Sequence, residues 1–287
     1  MSGFLPDDQL RNLQRLVASP RPPERMTSTP TGTGAVGTLG GYTLQKPLGP
    51  QSWEATHTKH PGRLVVRLLA KEPAPDRLLR LVGALKRIAK LPRPVFVPNQ
   101  RISRAGAFHF IVRDWIPGKN LTTWKGTPRE GLLAFYQLAR GLQLAHEEGL
   151  MDGDLTPHNV ILDDAGRPFV VDFGLRRLGL ALAGKQVSDP DPAVDAADLG
   201  TIFLTLVSGR PPEEILTSAA PPPLPTIDPK IDPQIRTMAT RILSGKPAPT
   251  ARDLADAAAF VCQKLPGDPT SRIDLITQYE RKISQKS

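Results

Sequence analysis

The stretch of residues 149–174, GLMDGDLTPHNVILDDAGRPFVVDFG, carries three side chains whose types and spacing can do chemistry. Asp154 is followed five residues later by Asn159, and a short apolar hairpin then returns the chain to Asp172. Mg²⁺ prefers oxygen donors, and an Asn and an Asp delivered to one place by a hairpin can ligate it. Asp154 beside them can accept a hydroxyl proton or orient a nucleophile. Any one of these residues alone would carry no meaning. Gly174 permits the sharp turn on which Asp172 must sit.

The elements that position this set can be read from periodicity. Residues 42–48 alternate, 52–58 form a plausible partner strand, and 63–70 form an apolar strand. Residues 76–91 read as a helix stopped by Pro92 and Pro94, and residues 95–98 and 108–116 as further strands. After Gly118 the pattern becomes helical, with Phe135, Leu138, Leu142 and Ala145 on one stripe. Residues 159–162 and 168–171 are short strands joined by Asp163-Asp164-Ala165-Gly166. Residues 196–207 are apolar on nearly every side, which predicts a central helix ended by Gly209. A last helix over 250–264 turns Leu254, Ala257, Ala258 and Val261 inward.

Around this body lie less regular segments. Leu10, Leu13 and Val17 share a face of a short N-terminal helix that Asp7 or Asp8 can cap. Residues 20–41 have the composition of a tether, and residues 219–233 are proline-rich. The expected organisation is α+β and bilobal: helix and tether over 1–39, a small antiparallel sheet lobe with one helix over 40–116, a larger helical lobe over 117–264, and a basic tail over 265–287.

A chain of 287 residues, 39% hydrophobic and 23% charged, has the composition of a soluble globular protein. No apolar run nears the roughly 20 residues of a membrane span. The N-terminus lacks a signal-peptide pattern and Cys262 is the one cysteine, so a cytoplasmic, reducing setting is expected. The net charge of +9 is uneven. Between residues 76 and 104 lie Arg77, Arg80, Lys86, Arg87, Lys90, Arg93, Arg101 and Arg104 against the single acid Asp76. Such a stripe suits a solvated helix face or an acidic or phosphorylated protein partner. Interleaved aromatics are missing, which speaks against nucleic acid.

The stretch around Asp154 resembles the catalytic loop and metal-binding motif of protein kinases, H-R-D-L-x-x-x-N followed by D-F-G. Segments such as YTLQKPLG, FIVRDWIPGKNL, LARGLQLAHEEGL and DAADLGTIFLTLVSGRPP are similar to successive pieces of bacterial serine/threonine kinases. The resemblance covers residues 40–264. It implies a kinase-like fold, with Asp154 as catalytic base and Asn159 and Asp172 as Mg²⁺ ligands. It also implies a nucleotide site lined by Gly49, Val65, Arg67, Arg113 and Trp115.

The departures from that family pattern bear on function. The strand lysine aligns with Arg67, whose planar fork does not replace a compact ammonium. Its glutamate partner is missing, with Ala84 near the place. The phosphate loop is reduced to LGPQSWEA, in which Gly49 is the only glycine and Pro50 removes an N–H, and is about four residues short. Arg113 stands where a medium-sized apolar residue guards the adenine pocket, and must find a partner such as Asp172 or Asp114. Asp152 and Gly153 replace the family's His and Arg, and Thr156 replaces its lysine. Asp152, Asp154 and Asp172 together would bind a cation avidly or hold a proton among them. Between Asp172 and Asp195 no A-P-E motif occurs, and the partner arginine is missing from SGKPAPTARDL.

These departures imply a pseudokinase, a regulatory or protein-binding module with weak or no ATP and Mg²⁺ binding. The alternative is an active ATP-dependent phosphotransferase using Asp154, Asn159 and Asp172. The GDLTPHN phrasing and short activation segment are also similar to aminoglycoside-type small-molecule kinases.

Overall fold

The computed structural model describes residues 37–49, 51–69, 75–91, 95–97, 99–175, 191–210, 214, 232–244 and 249–264. The N-terminal helix, most of the tether, the proline-rich loop, the basic tail and most of the activation segment lie outside the described residues. The chain divides into two compact units. One holds the chain up to Lys86 with Pro98–Trp115; the other holds Arg87–Val97 and most of the chain from Ile116 onward. The fold is bilobal and α+β.

The first unit is an antiparallel sheet of order β1-β2-β3-β4-β6-β5: β1 Gly37–Leu39, β2 Tyr42–Gly49, β3 Ser52–His57, β4 His60–Leu68, β5 Asn99–Ala105 and β6 Phe108–Asp114. Gly40 and Gly41 join β1 to β2 with φ of +57° and +89°, a two-residue turn that favours residues without a Cβ. Pro47 cannot donate to the ladder, and the β2–β3 register shifts on both sides of it. One sheet face buries Tyr42, Leu44, Trp53, Leu64, Val66, Phe110 and Val112 in a continuous core. Helix α1, Pro75–Ile88, buries Leu81, Leu85 and Ile88 at helical spacing and leaves Arg80, Lys86 and Arg87 exposed, as is Lys90 in the turn that follows.

In the second unit, α2 Pro128–Glu147 begins with a capping box in which Thr127 and Glu130 bond each other's main-chain N–H, and Pro128 occupies the first turn. Its apolar stripe packs on α3, Pro192–Ser208, with Phe135 and Phe203 ring centroids 4.9 Å apart. A Cβ on Gly131 would lie 2.4 Å from the Leu206 carbonyl oxygen, so glycine sets how closely the two helices approach. Gly209, with φ of +68°, closes α3 as expected. Helices α4, Asp232–Ser244, and α5, Ala251–Lys264, complete the bundle, and Cys262 of α5 is wholly buried beside the carbonyl of Leu132. A small sheet β7-β8-β9, Lys119–Asn120, Val160–Leu162 and Pro168–Val170, lies alongside in sequence.

Three local expectations are corrected. Of the expected strand 95–98, the described residues 95–97 are not a sheet strand: Phe96 forms an isolated parallel bridge to Val170, and a sequence with Pro94 and Pro98 on either side lacks the donors a ladder needs. The strand is instead the polar β5, an edge strand whose composition hides it from hydrophobic patterning. The tether is shorter than read, because β1 lies inside it with Leu39 fully buried.

Candidate functional site

The loop bearing Asp154 is fixed from below by α3. Asp191 caps that helix, Pro192 starts it, and Asp195 in its first turn is completely buried. A buried carboxylate must be paired. Asp195 accepts from the main-chain N–H of Asp152 at 2.9 Å and of Gly153 at 2.5 Å, and contacts His146 Nε2 at 2.9 Å. The helix N-terminus further favours negative charge there. One turn later, Asp198 accepts from the Leu155 N–H, so α3 grips the loop on both sides of Asp154. Asp154 itself is half-buried.

The hairpin delivers the other two residues. Asp163 accepts from the N–H groups of Ala165 and Arg167 and pairs with the Arg167 guanidinium, which fixes the β8–β9 turn. Val160 stands opposite Val170, and the Val171 N–H donates to the Asn159 carbonyl at 2.8 Å. Asn159 is thereby tied by its main chain to the residue preceding Asp172. Asp172 has φ of +60°, the one non-glycine residue in the left-handed region among those described. Such backbone is costly and recurs at functional sites.

Asp152 is the unexpected member. Its side chain is buried, Oδ1 accepts the Gly174 N–H at 2.6 Å, and Oδ2 meets no partner. Burial pushes its pKa up to about 7, repulsion from Asp195, Asp154 and Asp198 adds to this, and the Gly174 bond opposes it. Asp198 is pushed up to about 6, first by burial and then by Asp195 and Asp154. This crowding favours a proton held on Asp152 near neutral pH. Among the described residues, no group of three or more His, Cys, Asp or Glu is arranged to hold a metal ion.

In the sheet unit, Val65 stands directly opposite Arg113, and Arg67 lies two residues along on the same face of β4. Arg113 is buried and donates to the Asp114 carbonyl oxygen at 3.1 Å. The face of Trp115 carries the Arg63 guanidinium 4.0 Å from the ring centroid, and Arg63 also pairs with the buried Glu54. Gly49 is paired directly with Ser52, leaving only Pro50 and Gln51 between β2 and β3.

Sequence reasoning passed over two features. The Glu54–Arg63–Trp115 stack gave no signal beyond opposite charges on neighbouring strands. The anchoring role of Asp195 had one: a carboxylate at the head of an otherwise apolar helix needs buried donors.

No family model matches the chain. It is 27% identical to the serine/threonine-protein kinase PknA of Mycobacterium tuberculosis over 77% of this chain and 61% of PknA. It is 29% identical to PkaA of Streptomyces coelicolor, also a serine/threonine-protein kinase, over 64% of this chain and 38% of PkaA. The chain thus spans about three fifths or less of these relatives' length. Among solved structures, the Mycobacterium tuberculosis PknI kinase domain matches with a TM-score of 0.53 and 23% identity, over 80% of this chain and 99% of that domain.

Proposed function

From a kinase-fold chain whose relatives are bacterial serine/threonine protein kinases, we propose a regulatory, protein-binding domain that does not turn over nucleotide efficiently. The observation that carries this reading is the pairing of Gly49 with Ser52. A loop that covers phosphates needs several residues of bare backbone. Here two residues, one of them proline, close the hairpin. Arg67 in place of the strand lysine and Arg63 stacked on Trp115 support the same conclusion.

The partner is a protein with an acidic or phosphorylated surface, met by the exposed Arg80, Lys86 and Lys90 of α1 and its neighbouring turn. Leu79 beside them is 73% exposed and supplies an apolar contact. A reducing, cytoplasmic setting suits a chain whose one cysteine, Cys262, is buried.

A second reading, an active ATP-dependent phosphotransferase, is favoured by the positive φ of Asp172 and by the bracing of the Asp154 loop on Asp195. In that reading Asn159 and Asp172 hold Mg²⁺ and Asp154 accepts the substrate's hydroxyl proton. Thermal unfolding with ATP, with and without Mg²⁺, separates the two. A ligand at about 100 times its dissociation constant adds about 2.7 kcal/mol. The module reading expects no Mg²⁺-dependent shift at millimolar ATP. A shift that Asp172→Ala removes, together with transfer of labelled phosphate, would replace it with the second reading.

A further inference from the structure

Four glycines stand inside the described helices, and three of them are points of contact. A Cβ at Gly131 of α2 would collide with the Leu206 carbonyl of α3. One at Gly141 of α2 would lie 2.7 Å from Val95 Cγ1, and one at Gly200 of α3 would lie 2.5 Å from Ile242 Cγ2 of α4. At each of these, the missing side chain is what lets another element approach. Gly83 of α1 is the exception. It is exposed, its φ is not in the left-handed region, and a Cβ there would meet nothing within 4 Å. Glycine is a poor helix former beside alanine, and nothing within the described fold accounts for it at this position.

The residues around Gly83 have the make-up of a docking face. Leu81, Leu85 and Ile88 point α1 into the core, and helical spacing puts Gly83 at the middle of the opposite side. Arg80 and Lys86 stand three residues before and after it, one on each flank. Both are exposed, and among the described residues neither has a hydrogen-bond or ion-pair partner. Arg87, a turn beyond Gly83, differs in that it donates to the Glu148 carbonyl oxygen. Leu79, a turn before Gly83, is the most exposed of the large apolar residues described. Asp76 is the one acid of the helix and lies in its first turn, where it complements the helix N-terminus. A bare backbone between two cations, with a leucine beside it, matches a second helix that comes close at Gly83 and carries carboxylates on both sides of the contact line. A membrane surface would need a broad apolar face, and Leu79 is the only exposed large apolar residue on this one.

We propose that the exposed face of α1 centred on Gly83 is the docking site for an acidic amphipathic helix of a partner protein. The partner's backbone packs against Gly83, its carboxylates meet Arg80 and Lys86, and an apolar side chain covers Leu79. The inference rests on the reading of the domain as a protein-binding module and names the kind of element that the module binds.

The test uses the full chain and a synthetic helical peptide about three heptads long, with an alanine–leucine stripe between two rows of glutamate. A peptide of the same composition with the stripe scrambled is the control. Anisotropy of the labelled peptides should show saturable binding of the first, about tenfold tighter than of the second. Gly83→Ala puts a methyl into open space on a helix, so the free variant should melt higher than the wild type. The same methyl stands where the partner's backbone must come, so peptide affinity should fall about tenfold. Arg80→Glu combined with Lys86→Glu should abolish binding, and Leu79→Ala should weaken it. Equal binding of the two peptides means charge attraction alone and overturns the proposal. So does a Gly83→Ala that melts lower than the wild type or binds the peptide as tightly. Anionic vesicles that displace the peptide, or self-association that the double charge reversal abolishes, overturn it in favour of a membrane or a second copy. Melting with ATP and Mg²⁺ is judged apart. No shift there and no peptide binding keeps the module reading and overturns only this docking site, whereas a Mg²⁺-dependent shift beside stripe-specific binding upholds the docking site and overturns the module reading.

Discussion

The carboxyl of Asp152 receives the main-chain N–H of Gly174 at 2.6 Å, which ties the loop bearing Asp154 to the turn that carries Asp172. Its other oxygen is buried and has no partner. The folded protein raises the pKa of Asp152 from 3.8 to about 7. Between those values the folded state holds a proton that the unfolded state has lost. The associated stability is complete below the unfolded pKa and is lost as pH rises through the folded one. The whole effect is on the order of 4 kcal/mol. Asp152→Asn keeps an acceptor for Gly174 and cannot ionise, so it should be more stable than the wild type near pH 8 and lose that advantage near pH 4. Urea unfolding across this range reads the difference, and parallel pH profiles would refute it.

Asp195 is a different kind of carboxylate, since each of its bonds is made to a group that loses its partner if it is removed. Asp195→Ala strands two main-chain donors and a histidine in the interior, at a cost of about 3–5 kcal/mol. We expect the variant to be largely unfolded or strongly shifted in denaturant midpoint. Circular dichroism and urea titration decide. A loss below about 1 kcal/mol would mean that the loop finds other anchors.

Gly131→Ala places a methyl 2.4 Å from the Leu206 carbonyl oxygen, an atom of helix backbone that cannot step aside. Alanine favours helix by roughly 1 kcal/mol over glycine, yet the clash should prevail and destabilise by about 1–3 kcal/mol. A chemical denaturation midpoint that rises instead would show that α2 and α3 can separate at little cost.

Arg63→Ala uncovers Trp115 and leaves the buried Glu54 without its partner. The Arg63 bond now holds Glu54 below the usual carboxylate range, a stabilisation present at neutral pH and lost as pH falls through the folded pKa. The variant should therefore be destabilised at neutral pH and approach the wild type in acid. Tryptophan fluorescence compared between Arg63→Ala and Arg63→Ala with Trp115→Phe isolates the indole. An unchanged Trp115 signal would argue against the stack.

The periodic parts of this molecule were legible in the residues. Phe135, Leu138, Leu142 and Ala145 mark the buried stripe of α2, and Gly209 ends α3 where expected. The hairpin between Asn159 and Asp172 was legible too, because strand length and turn chemistry are local properties. Strand β5 was not. It lies at a sheet edge, and its NQRISRA composition reads as polar. Helix α4 was missed because it follows a proline-rich stretch, although Ile235, Met238 and Ala239 are buried at helical spacing. The state of Asp152 depends on burial and on Asp195 and Asp198, which lie more than forty residues further along the chain. No window of sequence contains that environment. The crowding of carboxylates was anticipated from Asp152, Asp154 and Asp172, but the repulsion on Asp152 comes from Asp154 together with the two acids of α3.

Cys262 is the chain's one cysteine, and α5 seals it completely against α2. A thiol reagent added to the native protein reaches it only when those helices part. Its labelling rate is therefore a clock for the opening of the helical unit, readable without mutation. A second cysteine placed on any exposed position would react first and alone. The molecule comes ready for single-site dyes and spin labels, with its own thiol kept as an internal record of how often the interior breathes.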